Sequence, residues 1–268
     1  MLLFDNRGFS VMEFLIALML AGIVTSGAFA IYNTQQKQWS VQDQVTDMQS
    51  SIRATAEELT TKIRMAGYKV PDIIAPVLGS NTNPDTIVVV YNSEDLDNVQ
   101  IEHAMPQPAA DLLCDGHNLA GLNNGDLAYI YDANAGTGEF FEATAVQYVS
   151  SIIQHANPLS RAYPLGSKIM KLNRYKYYID QSNVDHPNLM VRFGNNTPQI
   201  YAENITNLNI VYVLSSGQAI DVPTTPALVR EIRFSISGRT DKADNEFRNP
   251  YRVRTIDTRV KVRNLGLY

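Results

Sequence analysis

The chain opens on an unbroken apolar stretch, continues as a helical stripe, and then changes to alternation. Residues Phe14 to Tyr32 read FLIALMLAGIVTSGAFAIY, and no charge occurs from Phe14 to Gln36. As a helix this stretch spans about 28 Å at ~1.5 Å per residue, close to the hydrocarbon thickness of a bilayer. Farther on, apolar residues recur at Val41, Val45, Met48, Ile52, Ala56, Leu59, Ile63 and Ala66. Steps of three and four trace one face of a helix. Neither proline nor glycine interrupts the chain from Asn33 until Gly67, and Pro71 follows as a stop signal. The pattern therefore predicts one helix from Phe9 to Ala66, about 87 Å long if unbroken. Its second half supplies only about three and a half heptads, so packing on a sheet is expected rather than a free coiled coil. Gly22, Thr25, Ser26 and Gly27 are weak helix formers, the expected place for a bend or local melting in a packed filament.

After Pro71 the period falls to two. Thr86–Tyr91, Leu127–Asp132, Phe140–Val149, Lys168–Tyr178, Leu189–Phe193, Asn207–Leu214, Leu228–Ser237 and Tyr251–Val262 read as strands. Turn-prone stretches separate them, among them 79–84, Asn123-Asn124-Gly125, 194–198 and Ser215-Ser216-Gly217. No helical pattern recurs between strands, which argues against a doubly wound parallel sheet. The predicted class is α+β: a long N-terminal helix, half of it a membrane span and half amphipathic, packed on antiparallel β-sheet in one or two sub-sheets.

Composition adds three constraints. At 268 residues the chain is long enough to bury a sizeable core. A net charge of −5 gives no general attraction to nucleic acid, which is not expected as a partner. The charge is uneven, because Leu228 to Tyr268 hold ten Lys and Arg against five Asp and Glu. That polarity would suit head-to-tail contacts between subunits, although a solvated strand face explains it as well. The lone cysteine, Cys114, can form no intrachain disulfide.

Catalytic and metal motifs are wanting. The histidines are His103, His117, His155 and His186, and Cys114-Asp115-Gly116-His117 lacks the second ligand pair of a zinc site. No nucleophile elbow, phosphate-cradling loop or H-E-x-x-H motif occurs, and Gly136-Thr137-Gly138 has no helix after it. Acidic groups at Asp85, Glu94, Asp95, Asp97 and at Asp241, Asp244, Glu246 lack the spacing of a calcium loop. Tyr175 and Tyr177 share one strand face, with Tyr178 opposite, and read as packing residues. Arg259, Lys261 and Arg263 share another, opposite Val260 and Val262, and read as a charged strand edge or a docking face. The chain is not expected to be an enzyme, and no catalytic residue, cofactor or metal is expected.

The start of the chain has two readings. An ordinary signal peptide would be cut near Ala28 and Ala30. Against it stand the polar cluster Asp5-Asn6-Arg7-Gly8, the helical continuation past Tyr32, and Glu13 within the apolar segment. An ionised carboxylate there costs on the order of 3 kcal/mol on insertion scales. Ser10-x-x-Glu13 also fits a capping box.

Arg7-Gly8-Phe9-Ser10-Val11-Met12-Glu13 with its apolar run resembles the class III leader of type IV pilins and pseudopilins. The resemblance implies that a membrane-embedded prepilin peptidase cuts after Gly8 and methylates the new N-terminal Phe9. It makes Glu13 the fifth mature residue, which in this family pairs with the N-terminal amine of a neighbouring subunit. Arg64-Met65-Ala66-Gly67-Tyr68 is similar to the Arg-x-Ala-Gly-Tyr helix ending of PilW-type minor pilins, and 229–239 with 251–264 resembles that group's closing strands. The middle of the chain carries no such likeness, and the C-terminal cysteine pair and helix proline of many major pilins are missing. The implied layout is a leader at 1–8, an assembly helix at 9–32, an amphipathic helix at 33–70 and a β-rich pilin domain at 71–268. The implied role is a structural minor pilin in a tip complex that primes pilus assembly. Its implied partners are other minor pilins, the major pilin, the assembly platform, a tip adhesin and the inner membrane, with the domain periplasmic before assembly and extracellular afterwards. A type II secretion pseudopilin of the J kind shares these features. A membrane-tethered or secreted binding module is the reading from another class.

Overall fold

A computed structural model describes residues 10–92, 96, 98–244 and 250–264. Helix α1 runs without interruption over Val11–Met65. The strands are β1 (Val77–Ser80), β2 (Thr86–Tyr91), β3 (Val99–Gln100), β4 (Leu112–Leu113), β5 (Leu127–Asp132), β6 (Thr137–Gln147), β7 (Ile152–His155) and β8 (Lys168–Lys171). They continue as β9 (Asn173–Asp180), β10 (Asn188–Phe193), β11 (Gln199–Glu203), β12 (Ile205–Leu214), β13 (Ala219–Ile220), β14 (Val229–Arg239) and β15 (Val253–Lys261). The expected α+β class is the observed one, with three sheets in place of one or two. Their orders are β1-β2-β9-β10-β11, β13-β12-β14-β15 and β3-β8-β5-β6-β7-β4. Every pairing is antiparallel.

Alternation explains which faces meet. Ile87 and Val89 on one side of β2 join the core formed with Ile52, Leu59 and Ile63 of α1 and with Ile232, Phe234, Ile236 and Val260 of the second sheet. Val88 and Val90, on the other side, pack against Tyr129 and Met170 of the third sheet and against Leu172, which follows β8. That third sheet has its own interior around Ile101, Leu112, Leu122, Ile130 and Ile169. The first two sheets are stitched together where Asp85 N–H donates to Leu208 O at 2.8 Å and the Ile210 amide donates to Asp85 Oδ2 at 2.7 Å.

One expectation is corrected by this arrangement. The run Lys168–Tyr178 is two strands in two sheets, divided at Leu172, whose side chain turns into the cluster between them. Gly22 to Gly27 belong to continuous helix in the single chain, where the Ser26 hydroxyl donates to Gly22 O at 2.8 Å.

Candidate functional site

The stripe read from the sequence is the face that α1 buries. Met48, Ile52, Ala56, Leu59, Ile63 and Ala66 are buried, Val45 is half-buried, and Thr55 joins them. The first half is the reverse. No part of its apolar window is buried, and Phe14, Leu18, Met19, Ile23, Val24 and Phe29 all stand exposed. This one element is long and apolar enough to cross a membrane. The Ser26 hydroxyl inside the apolar stretch bonds back to the helix, and just beyond the stretch Thr34 Oγ1 donates to Ala30 O at 3.0 Å. A polar group so paired no longer needs water, which lowers the cost of an apolar environment.

At its start α1 forms the capping box. Glu13 N–H donates to Ser10 Oγ at 3.2 Å, and Ser10 N–H donates to Glu13 Oε2 at 2.9 Å. Two of the amides that no helical carbonyl can reach are thereby satisfied. Glu13 Oε2 thus serves the cap, yet a carboxylate has about four lone-pair sites, so the cap does not exhaust Glu13 as an acceptor. Gly8 and Phe9, the expected processing residues, lie outside the described residues.

The helix end shows the physical work of its Arg-x-Ala-Gly-Tyr segment. Ala66 is fully buried, a place for a small side chain. Gly67 has φ +78, the left-handed region that glycine enters freely, and its amide donates to Val90 O at 3.0 Å. Tyr68 O accepts from Asn92 N–H at 2.8 Å, so the turn is laced onto β2 and the residue after it. Asn264 Nδ2 lies 3.3 to 3.5 Å from the carbonyls of Arg64, Met65 and Ala66 at the end of the helix, where Met65 O also accepts from the Tyr68 amide at 3.0 Å.

Other candidates resolve into packing. Cys114 is fully buried among the third sheet's apolar side chains, and burial pushes its thiol up to about 12. That state is the opposite of a metal-binding thiolate. His117 Nε2 meets Glu102 Oε1 at 2.8 Å and His103 Nε2 meets Asp115 Oδ2 at 3.0 Å. Hydrogen bonds from Gln100 and then His117 hold the Glu102 carboxyl below its ordinary value. His155 lies between Asn157 O and Ala110 O, and His186 beside Asp241. Gly136 and Gly138 belong to the β5–β6 hairpin.

The acidic groups are likewise engaged. Asp85 is buried, and burial raises its carboxyl pKa against the opposing backbone hydrogen bonds. Asp241 lies within reach of Asn204 and His186, and Asp244 pairs with Arg252 at 3.3 Å. Glu94, Asp95, Asp97 and Glu246 lie outside the described residues. On β15, Val260 and Val262 beside it are buried while Arg259, Lys261 and Arg263 are exposed, as alternation predicts. The basic face belongs to the second sheet, where Arg233 stands opposite Arg259 and Glu231 opposite Lys261. By contrast the third sheet's segment, 98–172, holds seven Asp and Glu against three Lys and Arg, so the two signs sit on different sheets.

A residue set that sequence reasoning missed joins helix to sheet. Lys62 Nζ donates to the Tyr91 hydroxyl at 3.1 Å and lies 4.0 Å from the centre of the Tyr175 ring. Tyr175 stacks between Tyr91 and Tyr177 at centroid distances of 5.8 and 6.4 Å. Glu58 and Lys62 are four residues apart, a spacing that reads as an ordinary surface pair.

A scan against protein-family models finds no match for this chain. A search of curated proteins finds none either.

Proposed function

We propose that this chain is a type IV pilin-like subunit, a structural minor pilin of the PilW type. One observation carries the reading: a single helix whose second half is built into a β-rich domain while its first half is apolar and unburied. A soluble domain has no use for such a helix, and an exposed apolar surface of this size marks a membrane or an interface. The acid at the start of the helix and the leader-like residues before it add the family resemblance.

In this reading the inner membrane holds Phe14–Tyr32 before assembly and the β domain is periplasmic. Removal of 1–8 by the prepilin peptidase frees the Phe9 amine. The subunit then joins other minor pilins in a tip complex, its apolar helix beside theirs and Glu13 facing a neighbour's amine. A carboxylate and an ammonium in a medium of low dielectric attract strongly enough to set the axial register of adjacent helices.

Mass spectrometry of the mature N-terminus, from membranes and from sheared filaments, tests the reading. A start at N-methylated Phe9 in both fractions is expected. A start near Ala30, or an intact Met1, overturns it.

A further inference from the structure

We infer that Trp39, with Tyr32 and Phe29 leading up to it, forms a lipid-headgroup contact that fixes how deeply α1 sits in the membrane on its domain side. This rests on the membrane reading above and assigns a position within it. Trp39 is the sole tryptophan of the chain and is 72% exposed, more than any other aromatic side chain described. The Phe29 and Tyr32 rings lie one turn apart with centroids at 6.3 Å, and both are exposed.

Helical geometry places the three together and away from the domain. At about 100° per residue, Phe29, Tyr32 and Trp39 fall within an arc of roughly 80°. Met48, the first fully buried residue of the stripe, lies about 180° from Trp39 by the same count. The chain's own β domain therefore packs on the opposite side of the helix. Between Tyr32 and Val45, where the stripe first packs against the core, the helix advances about 20 Å, long enough for a membrane surface to lie in between.

The axial position fits a headgroup layer. A hydrocarbon core of ~30 Å takes up the length of Phe14–Tyr32, and the interfacial layer adds roughly 6 Å on each side. Trp39 Cα is about 10 Å beyond Tyr32 Cα, and helical side chains slant back toward the N-terminus, which brings the indole down to that layer. An indole has a large apolar body and one N–H donor, so it prefers the place where acyl chain gives way to ester and phosphate oxygens. Lys37, the first cation after the apolar run, belongs to the same stretch.

Because no other tryptophan contributes, fluorescence reads this position directly. The full chain is reconstituted in phosphatidylethanolamine–phosphatidylglycerol vesicles, and flotation reports membrane association separately. The expected result is emission blue-shifted from that of an indole in water, lost to a headgroup-level spin label and little affected by bromines near the acyl-chain ends. Water-like emission with full iodide quenching in floating vesicles overturns the inference and leaves the membrane reading standing. Quenching strongest from the bilayer centre overturns it too. A blue shift that fades as protein is diluted in lipid overturns it in favour of a second copy covering Trp39. Failure to float defeats the membrane reading and this inference together.

Discussion

The Tyr177 hydroxyl donates to Glu58 Oε1 at 2.7 Å, tying β9 to α1 across 119 positions of sequence. Tyr177 is fully buried, and Glu58 lies 3.8 Å from Lys62, which itself reaches Tyr91. The helix is thus held to the first sheet by a polar pin as well as by its apolar stripe. Tyr177→Phe keeps the ring and deletes the donor, leaving a half-buried carboxylate one partner short. The expected cost is about 1–2 kcal/mol. Thermal unfolding in detergent should read this as a fall of several degrees in Tm, at about 2–4 °C per kcal/mol for a chain of this size. An unchanged Tm would mean that water replaces the tyrosine at no cost.

Buried tyrosines, Tyr177 among them, give the fold an alkaline limit. Burial, and next the hydrogen bond to the Glu58 carboxylate, pushes the Tyr177 hydroxyl upward. Burial first and Glu139 second push Tyr163 up to about 12, and burial raises Tyr212. An unfolded tyrosine ionises near pH ~10. The folded state holds these protons more tightly, so their contribution is fully present below pH ~10 and declines as pH rises beyond it. Denaturant midpoints should be level from pH 8 to 9.5 and fall thereafter. The slope should lessen in Tyr163→Phe, which cannot ionise. A midpoint flat to pH 11.5 would contradict the burial of these groups.

Gly238 lets the helix sit flush on β14. A Cβ added there would come 2.9 Å from Ile52 Cγ1 and 3.0 Å from Ile52 Cδ1, on a side chain with no exposed surface. Gly238→Ala is therefore expected to destabilise by about 1–3 kcal/mol through overpacking. Ile52→Val shortens the offending side chain. The double variant should accordingly lose less than the sum of the single losses, a coupling that a denaturant cycle measures. Additive losses would place the strain elsewhere.

How much of this was legible in the sequence varies with the range of the interaction. The stripe from Val45 to Ala66 and the exposed apolar half follow from spacing alone, since helix faces are set locally. The long strands were legible too, because alternation persists over them. Short β4, β7 and β13 were not, since two to four residues carry too little pattern and their existence depends on distant partners. Sheet membership was equally invisible. Nothing local at Leu172 tells that β8 and β9 part company there. Ser10-x-x-Glu13 announced its cap, being complete within one turn. Glu58 and Lys62 looked like solvated charges because their tyrosines arrive from β2 and β9. Trp39 could have been found by its angle from the stripe, a signal that the apolar pattern masks.

Under the proposed pilin reading, Glu13 combines two tasks that one substitution separates. As a cap it needs an oxygen acceptor at the third helical position, and glutamine supplies one. As a partner for a neighbour's amine it needs charge, which glutamine lacks. Glu13→Gln should therefore preserve the helix start, read as unchanged hydrogen-exchange protection at Glu13 and Phe14, while reducing recovery in sheared filaments several-fold. Ser10→Ala should do the reverse, because it deletes the cap acceptor at a cost of about 1 kcal/mol and leaves the carboxylate in place. Processing should be unaffected in both, so the mature mass, corrected for the substitution, controls for a failure upstream of assembly. If Glu13→Gln enters filaments as well as the parent chain, the carboxylate serves the capping box alone, and register must come from the apolar side chains between Phe14 and Tyr32.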